Sequence, residues 1–161
     1  MKTTSLLLVI CWIGTHAVFG QSRGLKAVET EIPIGTERRL ALVIGNKEYM
    51  NIAPLQNPIN DAEDMSKALE EIGFEVIQAT DTDYREMIGA MNRFKESLTR
   101  SDVALFYYSG HGVSYQNQNY LLPVDADISC LERIAEYGIP LNRILADIAN
   151  QKVKNSFVFL D

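Results

Sequence analysis

The chain has 161 residues, 47% of them hydrophobic and 22% charged, with a formal net charge of −6. This length permits one domain with a sizeable core, and the composition is that of a globular protein. The acidic balance, with no basic run longer than Arg38-Arg39, argues against nucleic acid or an anionic membrane as partner, since both require a basic patch.

The first segment, residues 1–20, reads as an export signal. Lys2 supplies a positive start, Leu6 to Ile13 form a short apolar centre, and small residues lead to Gly20. The apolar stretch falls short of the roughly 20 residues a bilayer span needs, so no stable membrane insertion is expected after cleavage. Ile10 is too bulky before Cys11 for a lipoprotein site. The expected product is exported, periplasmic or secreted. It retains one cysteine, Cys130, and one histidine, His111. A single thiol forms no internal disulfide, and no His/Cys cluster with zinc spacing exists, so the residues call for no metal.

Residues 21–36 are polar and mixed, with Pro33 and Gly35, and read as a linker or short propeptide. Leu40 to Ile44 is apolar at every position and ends in Gly45-Asn46, the pattern of a strand buried on both faces. A helix is expected after Pro58, with Asn60 and Glu63 spaced as a capping box and Ala62, Met65, Leu69 and Ile72 on one face. Gly73 is expected to end it in a left-handed conformation. Phe74 to Ala79 is the second strand. Thr82 or Asp83 caps a second helix, in which Tyr84, Met87, Ile88, Met91, Phe94 and Leu98 form a core stripe.

Asp102 to Ser109 is the third strand. Val113 to Tyr120 is rich in Gln and Asn and fits either a small hairpin or a mobile loop. Residues 125–140 make a long connection, which in a small domain is often functional. Leu141 to Gln151 is a third helix with Ile144, Leu145 and Ile148 on one face, and Ser156 to Leu160 is a fourth strand. Strands alternating with helices predict an α/β fold with a parallel sheet covered on both faces.

In such sheets functional sites lie beyond the carboxyl ends of the strands. Three strands end suggestively, at Gly45-Asn46, at Ser109-Gly110-His111-Gly112 and at Asp161. A strand running into His111 sets a general base on a rigid support. The flanking glycines permit a tight turn and close approach, and the Gly112 N–H is a candidate oxyanion donor. Ser109, Ser114 and Cys130 are nucleophiles by type, but nothing in the sequence marks any of them as activated.

Five stretches together resemble the caspase-like cysteine peptidases, in the bacterial metacaspase-like branch. They are Arg39 to Asn46, Leu55 to Ala62, Tyr107 to Gly112, Tyr120 to Asp125 and Phe157 to Asp161, in the family's order. The resemblance implies a three-layer α/β/α caspase-like fold over residues 37–161, with a mostly parallel sheet that is incomplete at the C-terminus. It implies a Cys-His dyad in which His111 is the catalytic histidine and the Gly112 amide joins the oxyanion hole. The nucleophilic cysteine is expected about 50 residues after the histidine. Asp161 then matches the Asp of an Asp-x-Cys pattern whose cysteine lies beyond the last residue, so the chain is read as the front part of a longer protein and inactive by itself.

Asp61 and Asp161 match the acidic residues of the family's S1 pocket, which implies cleavage of protein or peptide substrates after Arg or Lys. No cofactor is expected from the residues; a response to calcium is implied by the resemblance alone, with Asp125 and Asp127 as acidic residues of the long loop. Two alternatives stand beside this reading. One is a non-catalytic caspase-fold protein, a pseudoenzyme or interaction module. The other is a flavodoxin-like or receiver-like domain, for which Gly45-Asn46-Lys47 is a thin phosphate-loop signal.

Overall fold

The computed structural model describes residues 37–151 and 153–161, so the segments expected to be an export signal and a linker lie outside the described residues. The apolar run at Leu40 becomes β1 (Arg39–Gly45), buried from Leu40 to Gly45. It lies at the centre of a parallel sheet in the order β2-β1-β3-β7, with β2 (Phe74–Thr80), β3 (Val103–Ser109) and β7 (Asn155–Leu160). Register is tight. Gly45 sits opposite both Thr80 and Ser109, and Tyr108 opposite Leu160, so the carboxyl ends of all four strands share one rim.

Alternate residues of β1 and β3 face opposite layers, as the period of two requires. Ala41, Val43, Leu105 and Tyr107 pack against Ala62 and Leu69 of α1 (Pro58–Glu71). Leu40, Leu42, Ile44, Ala104, Phe106 and Tyr108 pack on the other face. There they meet α2 (Tyr84–Leu98) and α4 (Leu141–Ala149) through Met87, Phe94, Leu98, Ile144 and Ile148. Each large side chain buried in this way contributes about 1.5–3 kcal/mol. The α/β architecture expected from the sequence is therefore observed, with helices on both faces.

Several local expectations are corrected. The helix α1 starts at Pro58 with Asn57 as N-cap and no side-chain cap, so Asn60 lies inside it. Proline fixes φ and has no N–H to satisfy, which suits it to the first helical turn. The capping box occurs instead at α2, where Asp83 accepts from Glu86 N at 2.8 Å and Glu86 accepts from Asp83 N at 3.1 Å. Gly73 adopts φ +85°, as expected after a helix. Ile72 (57% exposed) and Tyr84 (38%) lie off their core stripes.

The polar stretch after β3 is an antiparallel hairpin, β4 (Gly112–Tyr115) and β5 (Gln118–Leu121). The long connection contains α3 (Leu131–Tyr137) and the two-residue β6 (Ile139–Pro140), which pairs with β5. Strand β7 is not the core strand the apolar run suggested. All six of its residues are exposed, Phe157 at 49% and Phe159 at 48%.

Candidate functional site

The rim of the sheet is tied together by buried polar groups. Asn46 is fully buried; its amide donates to Ser109 O at 2.9 Å and its side-chain NH₂ to Leu122 O at 3.1 Å. Its side-chain oxygen accepts from Thr82 N at 2.9 Å and Thr82 Oγ1 at 3.0 Å. The Asn46 backbone therefore ties the tips of β1 and β3, and its side chain joins them to the segments after β2 and β5. Asp81, at φ 48°, accepts from Lys47 N and Glu48 N at 2.7 and 2.9 Å and shapes the turn that follows.

That turn delivers Tyr49 beneath the histidine. Tyr49 is 7% exposed, and its hydroxyl accepts the His111 N–H at 2.8 Å. Its ring stands 4.7 Å from the His111 ring, tilted by 55°. The Tyr108 hydroxyl lies 3.2 Å from that of Tyr49 and donates to His111 O at 2.8 Å and Leu122 O at 3.0 Å. Burial raises the pKa of both phenols, so both remain neutral hydrogen-bonding groups.

Gly110 is required by this arrangement. A Cβ there would stand 2.7 Å from both tyrosine hydroxyls. At Gly112 a Cβ would meet only Tyr120 O at 3.5 Å, an ordinary contact. Leu122 N donates to His111 O, which makes His111 and Leu122 a hydrogen-bonded position of the hairpin ladder. The next pair, Gly112 and Leu121, is then a non-hydrogen-bonded one, and the Gly112 N–H points away from β5.

The His111 side chain is half-buried, with Nε2 2.8 Å from Ala53 O. A carbonyl only accepts, so in the neutral ring Nε2 carries the proton and Nδ1 keeps its lone pair. Asp161 continues the pairing past β7. Its N–H donates to Tyr108 O at 2.9 Å, and its carbonyl accepts from Gly110 N at 3.2 Å, one residue before the histidine. On the α1 side, the Tyr107 hydroxyl reaches Asp161 Oδ2 at 3.5 Å. Burial, followed by the neighbouring Asp161 and Asp64 carboxylates, pushes the Asp61 carboxyl above its usual range. Burial, then Asp161 and Asp61, likewise raises Tyr107. Neither Asp61 nor Asp161 has a cationic partner among the described residues.

The structure thus brings His111, Gly112, Asp61 and Asp161 to one rim. A cavity of about 350 Å³ opens beside them, lined by Gly110, Gly112, Tyr120, Leu141 and Asp161, while neither His111 nor Asp61 is part of its lining. The nucleophiles considered by type do not meet the imidazole, whose ring partners are Tyr49 and Ala53. Ser109 is buried, Ser114 is exposed on β4, and Cys130 is an exposed free thiol at the start of α3. Asp125 accepts from Tyr84 N at 2.9 Å, and Asp127 pairs with Arg133. No group of three or more potential ligands is placed to hold a metal among the described residues. Sequence reasoning missed Tyr49, Tyr108 and the Ala53 carbonyl. A tyrosine in an apolar run is the one signal available, since a buried phenol needs a partner.

A parallel α/β sheet with an oriented imidazole at its carboxyl rim places a group able to act as a general base where such folds hold their sites. Residues 38–161 match the caspase domain family, and the chain belongs to that family. It is 31% identical over 101 residues to human mucosa-associated lymphoid tissue lymphoma translocation protein 1, covering 63% of this chain and 12% of that protein. The mouse homolog matches at 31% over 98 residues, 61% of this chain and 12% of the relative. Caspase-1-B of Xenopus laevis matches at 34% over 77 residues, 47% and 20% respectively.

Proposed function

We propose that the chain carries the general base, oxyanion donor and specificity pocket of an exported cysteine endopeptidase of the metacaspase-like branch, one that cleaves after Arg or Lys. The observation that carries the reading is the contact of His111 Nε2 with Ala53 O at 2.8 Å, which leaves Nδ1 as the base. The thiol it serves belongs two residues past Asp161, in the Asp-x-Cys pattern the resemblance implies. The exposed strand β7 leads toward that position, and Asp161 pairs with the backbone next to His111.

In the reaction, Nδ1 takes the thiol proton and the sulfur attacks the scissile carbonyl carbon. The oxygen becomes negative in the tetrahedral intermediate and is met by the free N–H of Gly112. The imidazolium then gives its proton to the leaving amine as the C–N bond breaks. Water, deprotonated by His111, hydrolyses the acyl-enzyme. Positioned proton transfer of this kind is worth about 10²–10⁴ in rate. The unpaired carboxylates of Asp61 and Asp161 favour a cationic P1 side chain, because a guanidinium offsets their mutual repulsion and the effect of burial on Asp61. The test is turnover of fluorogenic peptides ending in Arg, Lys or Asp by protein that includes the residues after Asp161. Turnover of the Arg and Lys peptides, abolished by His111→Ala, is the expected result. No turnover of any of the three, with the thiol present, contradicts the proposal and favours a non-catalytic caspase-fold module.

A further inference from the structure

The edge of the sheet opposite β7 carries a second recess, remote from the chemistry above. Among the described residues, strand β2 is hydrogen-bonded to β1 on one side only. Beside its C-terminal half lies a cavity of about 520 Å³, lined by Ala79 and Thr80 and by Arg85, Glu86, Gly89 and Arg93 of α2.

Three features of this recess are unexplained by folding alone. Gly89 sits in the middle of a 15-residue helix, where glycine is unfavourable relative to alanine. Nothing crowds it, since a Cβ would meet only Arg93 Nη1 at 3.9 Å. That same distance shows the Arg93 guanidinium folded back over Gly89, in the direction of Arg85 one turn earlier. Finally, Arg85 and Arg93 make no ion pair among the described residues; Arg100 and Arg143 make none either, but only Arg85 and Arg93 share a recess. The one carboxylate lining the recess, Glu86, is engaged by the Asp83 N–H in the capping box at 3.1 Å. Two unpaired cations share one recess in a chain whose net charge is −6.

We propose that this edge docks an acidic segment of a partner polypeptide in extended form, which adds a strand to β2 and sets a carboxylate between Arg85 and Arg93. The outward backbone groups of β2 supply main-chain hydrogen bonds. From Val76 to Thr80 the strand has no charge or proline to block pairing; its one charged residue, Glu75, lies near the other end and pairs with Arg38 at 3.9 Å. Two guanidiniums are the donors best matched to a carboxylate. Gly89 keeps the floor of the recess open for it.

The test titrates the ¹⁵N-labelled full chain with acetyl-Thr-Val-Glu-Val-Glu-Thr-Thr-amide. The expected result is saturable shifts confined to residues 76–80 and 85–93, with slowed hydrogen exchange at the outward amides of β2. Affinity should fall at least tenfold in Arg85→Ala with Arg93→Ala, and to a similar extent when Gln replaces Glu in the peptide. Gly89→Ala should raise the melting temperature yet weaken the peptide several-fold, separating docking from stability. Unchanged affinity in these variants, or shifts elsewhere, overturns the proposal. So does tripolyphosphate that binds as tightly as the peptide without protecting β2, which would mark a simple anion site.

Discussion

Replacing Tyr49 by Phe removes one oxygen from beneath His111 and leaves the tilted ring in place 4.7 Å away. The His111 N–H then loses its acceptor at 2.8 Å. Across the ladder, Leu122 O already accepts from the Asn46 side chain at 3.1 Å and the Tyr108 hydroxyl at 3.0 Å, so it offers this amide no free lone pair. The Tyr108 hydroxyl, by contrast, keeps both His111 O and Leu122 O. The loss is therefore one hydrogen bond plus one orphaned, part-buried donor, a cost of about 1–3 kcal/mol. For a domain of this size that corresponds to a fall in melting temperature of roughly 4–11 °C. Urea unfolding should show a lower midpoint with an unchanged slope. Burial raises the Tyr49 pKa above its ordinary value near 10, so the effect should be constant from about pH 6 to 9. A loss below about 0.5 kcal/mol would mean that water satisfies the amide, and the tyrosine support for the histidine would have to be abandoned.

Gly45→Ala should be more damaging, by about 1–3 kcal/mol or more, because its Cβ would run into Pro58 O and stand 2.7 Å from Ala62 Cβ, displacing α1 from β1; thermal unfolding tests this. Asp102 is held below the usual carboxylate range, first by the hydrogen bond from Lys154 and then by that from Arg38 N. Its contribution is present above its unfolded pKa of about 3.9 and is lost as pH falls through the folded value. Asp102→Asn should therefore be less stable at pH 7 and equal to the parent near pH 2, measured by urea unfolding across that range. Asp161→Asn should lower the Asp61 pKa in a ¹³C NMR titration but leave it above the ordinary value, because burial, the larger cause, remains. A raised folded pKa means that stability declines as pH rises through the unfolded value of about 3.9, and this substitution should flatten that decline.

The central strands were legible because they are apolar at every position, a pattern that only a sheet covered on both faces satisfies. Gly73 was legible for its left-handed φ. The capping boxes show where such reading fails. Asn60/Glu63 and Asp83/Glu86 have the same spacing, but Pro58 starts α1 early and leaves Asn60 inside the helix. The hairpin stayed ambiguous because Gln116 and Asn117 both take positive φ, 48° and 63°, and glutamine gives no hint of it. His111, Gly112, Asp61 and Asp161 could be placed on one rim from strand order and family resemblance. The support beneath them could not. Tyr108 and Tyr49 read as core residues, and Ala53 acts through a backbone carbonyl that has no side-chain signature.

The most direct measurement uses protein that includes the residues following Asp161, treated with an Arg-terminated peptidyl chloromethyl ketone and digested for mass spectrometry. The account predicts a single adduct on a cysteine two residues past Asp161, formed by the parent and absent in His111→Ala. An adduct on Cys130, or labelling that persists without the imidazole, would contradict it.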